Sequence, residues 1–157
     1  MKIVLALDDS QHSERALDFV ARMRWPAGST LMVLSVLPPN AAGFGAPYEP
    51  VGLALEPIEA QHARLRDGVA RAERTLREHG LSAAGQVIDG DPREVLIDTA
   101  ERERADLLVV GSHGRTGLAK LTLGSVSSHV VTHAPCSVLV VKGPRPTHRL
   151  NPPGGSS

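Results

Sequence analysis

The chain has 157 residues, a length that suits a single domain with one buried core. Its acidic and basic residues balance to a formal net charge of zero and aromatic residues make up only 3% of it, which argues against both a basic nucleic-acid footprint and a set of base-stacking platforms. Cys136 is the single cysteine and cannot form an internal disulfide, and no apolar run is long enough for a signal peptide or a membrane span, so we expect a cytoplasmic protein with no membrane partner.

The first third of the chain predicts two buried strands that flank a helix. Residues 3–7 form a continuous apolar run and residues 31–36 are apolar apart from Ser35, which is typical of buried strands. Between them, apolar residues recur at helical spacing over residues 16–23. Residues 37–55 are rich in Pro, Gly and Ala and predict a long mobile loop.

The rest of the chain continues the alternation of helices and strands. Helices are predicted over residues 58–76 and 126–133. A third predicted helix begins at Asp91-Pro92-Arg93-Glu94, where Asp91 is the cap and proline is the first helical residue. Predicted strands cover residues 86–88, 107–110 and 138–141. Residues 143–157 turn to Pro, Gly and Ser and predict a disordered tail.

Unbroken apolar strands separated by helices predict an α/β fold, a single domain with a parallel sheet covered on both faces. Ligands of such sheets bind beyond the carboxyl ends of the strands, where the strand order reverses. The search for a site therefore falls on Asp8 after the first strand, on residues 36–38 after the second, and on Gly111 after the fourth.

The segment that starts at Gly111-Ser112-His113-Gly114 and, after nine residues, reaches Gly124-Ser125 is the best candidate for a binding site. Glycines there would let backbone come close to a ligand. The helix after Gly124 would offer free N–H groups and its positive end to a phosphate, with Ser125 either capping the helix or donating its hydroxyl. The spacing alone leaves open that the glycines only form turns and that Ser125 is only a cap.

Two commoner nucleotide motifs are missing from the sequence. No G-x-x-x-x-G-K-[ST] run occurs, and Asp8-Asp9-Ser10 stands after the first strand where a G-x-G-x-x-G turn would be required. A Walker-type NTPase and a dinucleotide-dependent enzyme are therefore both disfavoured.

Residues 106–142 resemble the C-terminal half of the universal stress proteins of the ATP-binding kind. The G-x2-G-x9-G-[ST] pattern of that subgroup is complete here as Gly111, Gly114, Gly124 and Ser125. Residues 3–10, 34–36 and 134–141 are similar as well, although Ser137 stands where the family often has proline. The resemblance covers most of residues 1–142 and leaves out the loop at 37–55 and the tail.

The resemblance implies a single doubly wound domain of the adenine nucleotide alpha hydrolase-like kind, with a five-stranded parallel sheet of order 3-2-1-4-5. That order brings Asp8 beside Gly111. It further implies that Asp8 serves the adenosine and that Val36 contacts adenine through its backbone. The ribose and phosphates would be held by Gly111, Gly114, Gly124, Ser125 and the N–H of Val126. The ligand would be ATP with Mg²⁺ or Mn²⁺, the ion being held through the phosphates.

Other candidate residues fit ordinary structural roles better. His129 and His133 have a metal-chelating spacing but no accompanying acidic residue, which favours a surface or capping role. His113 would either touch phosphate or face solvent, and Cys136 is expected to be a small core residue. As successive strand residues, Asp8 and Asp9 would point to opposite faces, so that one could hold a divalent cation through the phosphates while the other caps the following helix.

Three functions are compatible with these residues. The leading one is an ATP-binding stress-response regulatory protein, not an enzyme, whose occupancy changes its conformation or its affinity for a protein partner. A slow ATPase is the second, although Arg115 and Lys120 could only neutralise charge and no general base is apparent. A nucleotide-free dimerisation module is the third. We also expect a homodimer through the last strand, residues 138–141, which lies at the sheet edge.

Overall fold

The computed structural model describes residues 1–39, 57–114 and 123–143 of the chain. These ranges contain five strands, Lys2–Leu7 (β1), Thr30–Leu37 (β2), Ser82–Asp89 (β3), Leu107–Gly111 (β4) and Ser137–Val141 (β5). Four helices alternate with the strands: Gln11–Arg22 (α1), Ile58–Glu78 (α2), Pro92–Arg102 (α3) and Ser125–His133 (α4).

The strands form one parallel sheet of order β3-β2-β1-β4-β5. The central strand β1 pairs on one side with β2, where Ile3 lies opposite Leu31, and on the other with β4, where Ile3 lies opposite Leu107. The predicted fold class and strand order are confirmed. The chain reverses its direction of winding between β1 and β4, so a cleft opens at the carboxyl ends of these two strands.

Hydrophobic clusters cover both faces of the sheet, because alternate strand residues point to opposite sides. Ile3 and Leu5 of β1 pack on one face with apolar residues of α1 and α2, such as Val20 and Leu76. On the other face Val4 packs in a second cluster with apolar residues of α3 and α4. The unbroken apolar runs in the sequence follow from this double coverage.

Strand β3 is longer than residues 86–88, the extent that its sequence predicts. It starts at Ser82 and pairs with β2 over its whole length to Asp89. The apolar signal is weak because β3 is an edge strand that includes Gly85 and Gln86. A side chain at Gly85 would collide with Val69 of α2, so the glycine lets that helix lie close to the sheet.

The loop predicted over residues 37–55 begins later than expected. Leu37 is the last residue of β2, and its carbonyl accepts a hydrogen bond from the Gly90 N–H at 2.9 Å. Residues 40–56 and 144–157, which hold most of the predicted loop and tail, lie outside the described residues. Of the helices that the structure describes, none combines the length and the apolar composition that crossing a membrane would require.

Candidate functional site

A pocket of about 240 Å³ lies at the carboxyl edge of the sheet, above the ends of β1, β2 and β4 and beside α3 and α4. It lies at the edge where the sequence predicted a site. The structure brings all seven predicted site residues to its wall. They are Asp8, Val36, Gly111, Gly114, Gly124, Ser125 and Val126.

The two aspartates after β1 face different partners. Strand β1 ends at Leu7, as predicted, so Asp8 and Asp9 follow the strand and the argument that treated them as successive strand residues was wrong. Asp8 turns to the pocket, where its Oδ1 accepts hydrogen bonds from the backbone N–H of Ser10 at 3.0 Å and from the Ser10 hydroxyl. Asp9 forms an ion pair with Arg64 of α2 at 2.6 Å. The two carboxylates therefore act separately.

Serines, and not an aspartate, organise the turn from β1 into α1. Ser10 is the N-cap of α1, where its hydroxyl oxygen accepts the Ser13 N–H at 3.2 Å, so the prediction that one aspartate caps this helix was wrong. The buried Ser13 hydroxyl donates to the Asp8 carbonyl and accepts the Asp8 N–H. Asp8 is thus held through both its backbone and its side chain, which fixes the position of its carboxylate in the pocket.

Strand β2 extends beyond the end of β1 and supplies one end of the pocket. Leu7, the last residue of β1, lies opposite Ser35, so Val36 and the following residues have no β1 partner on that side. Val36 and Pro38 line the pocket there. Further apolar residues of the sheet and of α3 also line the pocket, namely Leu34, Leu96, Pro92 and Val110.

The two glycines around His113 serve protein contacts. A Cβ at Gly111 would lie 2.9 Å from the backbone carbon of His12 in α1, and a Cβ at Gly114 would lie 2.9 Å from Oδ2 of Asp8. Both glycines also line the pocket, so the expectation that they make room for a ligand stays a prediction beside these contacts. Gly111 is required because the first turn of α1 lies directly against it, and Gly114 leaves room for the Asp8 carboxylate.

Helix α4 starts at the pocket without a side-chain cap. Its N-cap is Gly124, so the possibility that Ser125 caps the helix is wrong, and Ser125 is the first helical residue, with an exposed side chain. Gly124 has a φ of −61°, which other residues can adopt, and its N–H donates to the carbonyl of Ser112 at 2.9 Å. Because first-turn N–H groups have no acceptor within a helix, this end favours an anion.

Several pocket residues were missed from the sequence. The buried Ser127 donates its hydroxyl to the Gly111 carbonyl at 2.7 Å and so ties the first turn of α4 to the end of β4. Pro92 and Leu96 of α3 also line the pocket. The Asp91-Pro92 helix start could have revealed them, because it follows β3 and therefore lies at the same edge of the sheet.

The remaining candidates lie in ordinary surroundings. The rings of His129 and His133 stack 4.2 Å apart, and Nδ1 of His133 bonds to the His129 carbonyl. Within residues 1–39, 57–114 and 123–143, no three His, Cys, Asp or Glu side chains are grouped to hold a metal ion. Burial raises the pKa of the half-buried Cys136 thiol, which is consistent with a packing role. Arg115 and Lys120 lie outside the described residues.

Comparison with solved structures shows the same fold. The chain superposes on the hypothetical protein MJ0577 of Methanocaldococcus jannaschii with a TM-score of 0.73 and 23% identity, over 92% of this chain and 97% of that one. It also matches a universal stress protein in complex with cAMP, with a TM-score of 0.64, 23% identity and coverage of 90% and 96%. A third match is the Arabidopsis thaliana family protein with AMP bound, with a TM-score of 0.62, 21% identity and coverage of 94% and 97%.

Comparison of sequences identifies the family. The chain is 32% identical over 149 residues to Universal stress protein Sll1388 of Synechocystis, an alignment that covers 90% of this chain and 97% of the relative. It is 33% identical over 144 residues to a universal stress protein of Thermus aquaticus, with coverage of 89% and 97%. The model of the universal stress protein family matches residues 1–142. The chain therefore belongs to the universal stress protein family.

Proposed function

We propose that this protein binds ATP in the pocket at the carboxyl edge of its sheet and that occupancy regulates its conformation or its affinity for a protein partner. The observation that carries the proposal is the convergence of all seven predicted residues in one pocket. This pocket has an apolar end, a fixed carboxylate and an uncapped helix N-terminus, which match a base, a ribose and phosphates in turn.

The apolar end suits an adenine base. The partly exposed side chains of Val36, Pro38 and Pro92 offer apolar contacts to a ring. Because β2 continues past β1, backbone groups near Val36 can hydrogen-bond the edge of the base. Two of the structural neighbours were solved with AMP or cAMP, and both of these ligands carry adenine.

The opposite end suits phosphates. Gly124 and Ser125 open α4 at the pocket, and the N–H groups of its first turn are aligned with the positive end of the helix. The volume of about 240 Å³ is below the range of about 300–1,000 Å³ that is typical of small-molecule sites, so the enclosed part would hold the base and ribose and leave the phosphates near the opening. A divalent ion would be bound through the phosphates, since the described residues offer no cluster that could hold it alone.

The pocket residues favour binding over efficient catalysis. Asp8 is the one carboxylate among the pocket residues that the structure describes, and its Oδ1 already accepts hydrogen bonds from Ser10. It is therefore a poor general base for activating water. Segments from α1, α3 and α4 all reach the pocket, so a bound nucleotide would link three helices, which supports a regulatory role.

We further propose a homodimer through β5, in a cytoplasmic protein. This strand lies at one edge of the sheet, and Val138, Leu139 and Val140 are only partly buried in the described residues. A partly apolar strand at an open edge invites pairing with a second copy, and two-fold symmetry is the usual arrangement.

Calorimetric titration with ATP, AMP and GTP tests the proposed function. We expect ATP and AMP to bind and GTP to bind far more weakly, because backbone groups that fit the adenine edge do not fit guanine. Equal affinity for ATP and GTP would contradict the base site, and no heat with any adenine nucleotide would contradict the function.

Two serines of α4 provide a matched pair of variants for the phosphate site. Ser125→Ala removes a hydroxyl at the pocket and is expected to weaken ATP binding by about 1–2 kcal/mol, whereas AMP binding should change less. Ser128→Ala, one turn further along α4 and exposed, should leave both affinities unchanged. Gly124→Val should abolish ATP binding, because it adds a branched side chain to the pocket wall at the start of α4, where the phosphates are proposed to lie. Wild-type ATP affinity in Gly124→Val would place the phosphates elsewhere.

A further inference from the structure

Two histidines share one serine hydroxyl where α1 meets the loop after β4. Nδ1 of His12 lies 3.4 Å from Oγ of Ser112, and Nδ1 of His113 lies 3.2 Å from the same oxygen. The two imidazole rings are 5.1 Å apart between centroids. Ser112 is only 3% exposed, so water competes little for its hydroxyl. The three side chains therefore form one hydrogen-bonded cluster, which we name the His12–Ser112–His113 cluster.

The cluster is built into the junction between the pocket and two helices. Gly111 has no side chain, which lets the first turn of α1, with His12, lie against the end of β4. The carbonyl of Ser112 accepts the N–H of Gly124, the N-cap of α4. A change in hydrogen bonding within the cluster is thus close to the proposed phosphate end of the pocket.

A single hydroxyl cannot donate to both rings. If Ser112 donates to His113, then His12 must donate its own Nδ1–H to Ser112, and His113 carries its hydrogen on Nε2. If Ser112 donates to His12 instead, His113 donates from Nδ1, and in its neutral form its Nε2 is left as an acceptor. When His12 accepts the Ser112 hydrogen, Nε2 of neutral His113 is therefore an acceptor, and only when His12 donates from Nδ1 is Ser112 free to donate to His113 and so place a hydrogen on Nε2.

A phosphate would select the first arrangement. His113 lines the pocket, and its Nε2 is a buried atom for which residues 1–39, 57–114 and 123–143 offer no hydrogen-bond partner. Phosphate oxygens only accept hydrogen bonds, so they favour a hydrogen on Nε2. Adding a proton to His12 favours the same arrangement, because its Nδ1 then donates and leaves the Ser112 hydroxyl free to donate to His113. The Gly124 N–H donates to the Ser112 carbonyl, so the uncapped N-terminal end of α4 lies beside this corner and favours an anion there.

The other charged groups around the cluster are Asp8, Asp9 and Arg15, and each has contacts outside the cluster. The Asp8 carboxylate, at the end of β1, is bonded to Ser10 and lies beside Gly114. The guanidinium of Arg15, one turn further along α1, lies against Gly143 after β5. Asp9 is paired with Arg64 of α2. Since these groups are present in every variant used below, differences between variants report on the cluster.

We propose that His12 is a positioning residue of the nucleotide site, which acts through Ser112 to set the hydrogen-bonding state of His113 and makes nucleotide binding stronger as the pH falls. The inference rests on the proposed function, since it assumes phosphates beside α4. It predicts that binding takes up a proton, because a bound anion and a protonated His12 favour the same arrangement.

The test is the pH dependence of ATP affinity in four proteins, measured by calorimetry between about pH 8 and pH 6, where histidines ordinarily titrate. The proteins are the wild type, His12→Gln, Ser112→Ala and His79→Gln, the last being an exposed histidine at the far end of α2. Towards the lower pH, the wild type should gain about tenfold in affinity over His12→Gln, near the effect of one hydrogen bond to a charged group. Ser112→Ala should behave like His12→Gln although it keeps both rings, and His79→Gln should behave like the wild type.

Proton uptake gives a second reading that a merely structural role would not change. Binding enthalpies in buffers with different ionisation heats should show more uptake in the wild type than in His12→Gln or Ser112→Ala. The phosphates of ATP titrate in the same range, but equally for every variant. If ATP binds and all four proteins show the same pH curve and uptake, the role of His12 is overturned while the proposed function stands. If the wild type binds no ATP at any pH, both are overturned.

Discussion

At the scale of single residues, two glycines of the G-x2-G-x9-G-[ST] pattern, Gly111 and Gly124, would tolerate an added side chain to different degrees. A Cβ on Gly111 would meet the backbone of His12, which cannot move without shifting α1. A Cβ on Gly124 would lie 3.3 Å from Cα of His113, a tight contact that a small shift of the loop would relieve. A short motif can therefore combine a residue needed for folding with a residue needed for access to the pocket.

This difference predicts opposite behaviour of two alanine variants. Gly111→Ala should lower the free energy of unfolding by about 1–3 kcal/mol, the usual result of overpacking a tight site. Gly124→Ala should change stability by less than about 1 kcal/mol, because the strain is small and the unfolded chain loses entropy. Urea unfolding followed by circular dichroism measures both. Equal stability of the two variants would show that α1 does not depend on Gly111.

At the scale of elements, the three helices that begin beside the pocket are capped differently. Ser10 caps α1 and Asp91 caps α3, each with a side-chain oxygen that accepts a backbone N–H. Helix α4 begins with Gly124 and has no such bond. Its first-turn donors are therefore the ones left to a ligand, and this contrast supports α4 as the phosphate site.

The Asp91 cap predicts a pH-dependent contribution to stability. Its carboxylate accepts the Arg93 N–H at 2.9 Å and pairs with the Arg93 guanidinium, and this side-chain hydrogen bond lowers the pKa of Asp91. Because the folded pKa lies below the ordinary value of about 3.9, the contribution is present above that value and is lost as the pH falls through the folded pKa.

Two variants separate the cap from the charge at Asp91. Asp91→Ala should lower the free energy of unfolding by about 0.5–2 kcal/mol near neutral pH, since it removes the cap. Asp91→Asn keeps a capping oxygen but cannot titrate, so it should lose less stability near neutral pH and approach the wild type in acid. Urea unfolding near pH 7 and near pH 3 measures this. A constant difference between wild type and Asp91→Asn at both values would count against the pKa shift.

At the scale of the whole molecule, the two edge strands of the sheet, β3 and β5, differ in composition. The β5 edge contains Val138, Leu139 and Val140, whereas the β3 edge includes Gly85 and Gln86. Pairing of an apolar edge strand with a second copy removes more apolar surface from water than pairing of a polar edge strand does. The proposed dimer is therefore assigned to β5.

Charge placed on each edge tests that assignment. Val140→Lys should convert the dimer to a monomer in sedimentation at micromolar concentration, because two-fold pairing brings the added charges together. Ala84→Lys, at an exposed position of β3, should leave the dimer unchanged. Melting curves for both variants exclude unfolding as the cause. A dimer that survives Val140→Lys in a folded protein would place the interface elsewhere, and a wild-type monomer would contradict the dimer itself.

The sequence by itself determined the alternation of strands and helices, because the periodicity of apolar residues is local and the same residues form the core. It also determined the family and, through that resemblance, the strand order and the residues that meet at the pocket. The ends of the strands and helices were predicted less well. Strand β3 was predicted too short, because an edge strand beside a closely packed helix carries little apolar signal.

Only the tertiary structure decided what each pocket residue touches. The contacts of Gly111 with His12, of Ser112 with His12, and of Asp9 with Arg64 join residues that are far apart in the chain. Propensity and spacing carry no information about such pairs, since they depend on how helices seat against the sheet. The choice of Ser10 over the aspartates as the cap of α1 is local, but it follows from where β1 stops, and the length of a strand is set by its neighbours in the sheet.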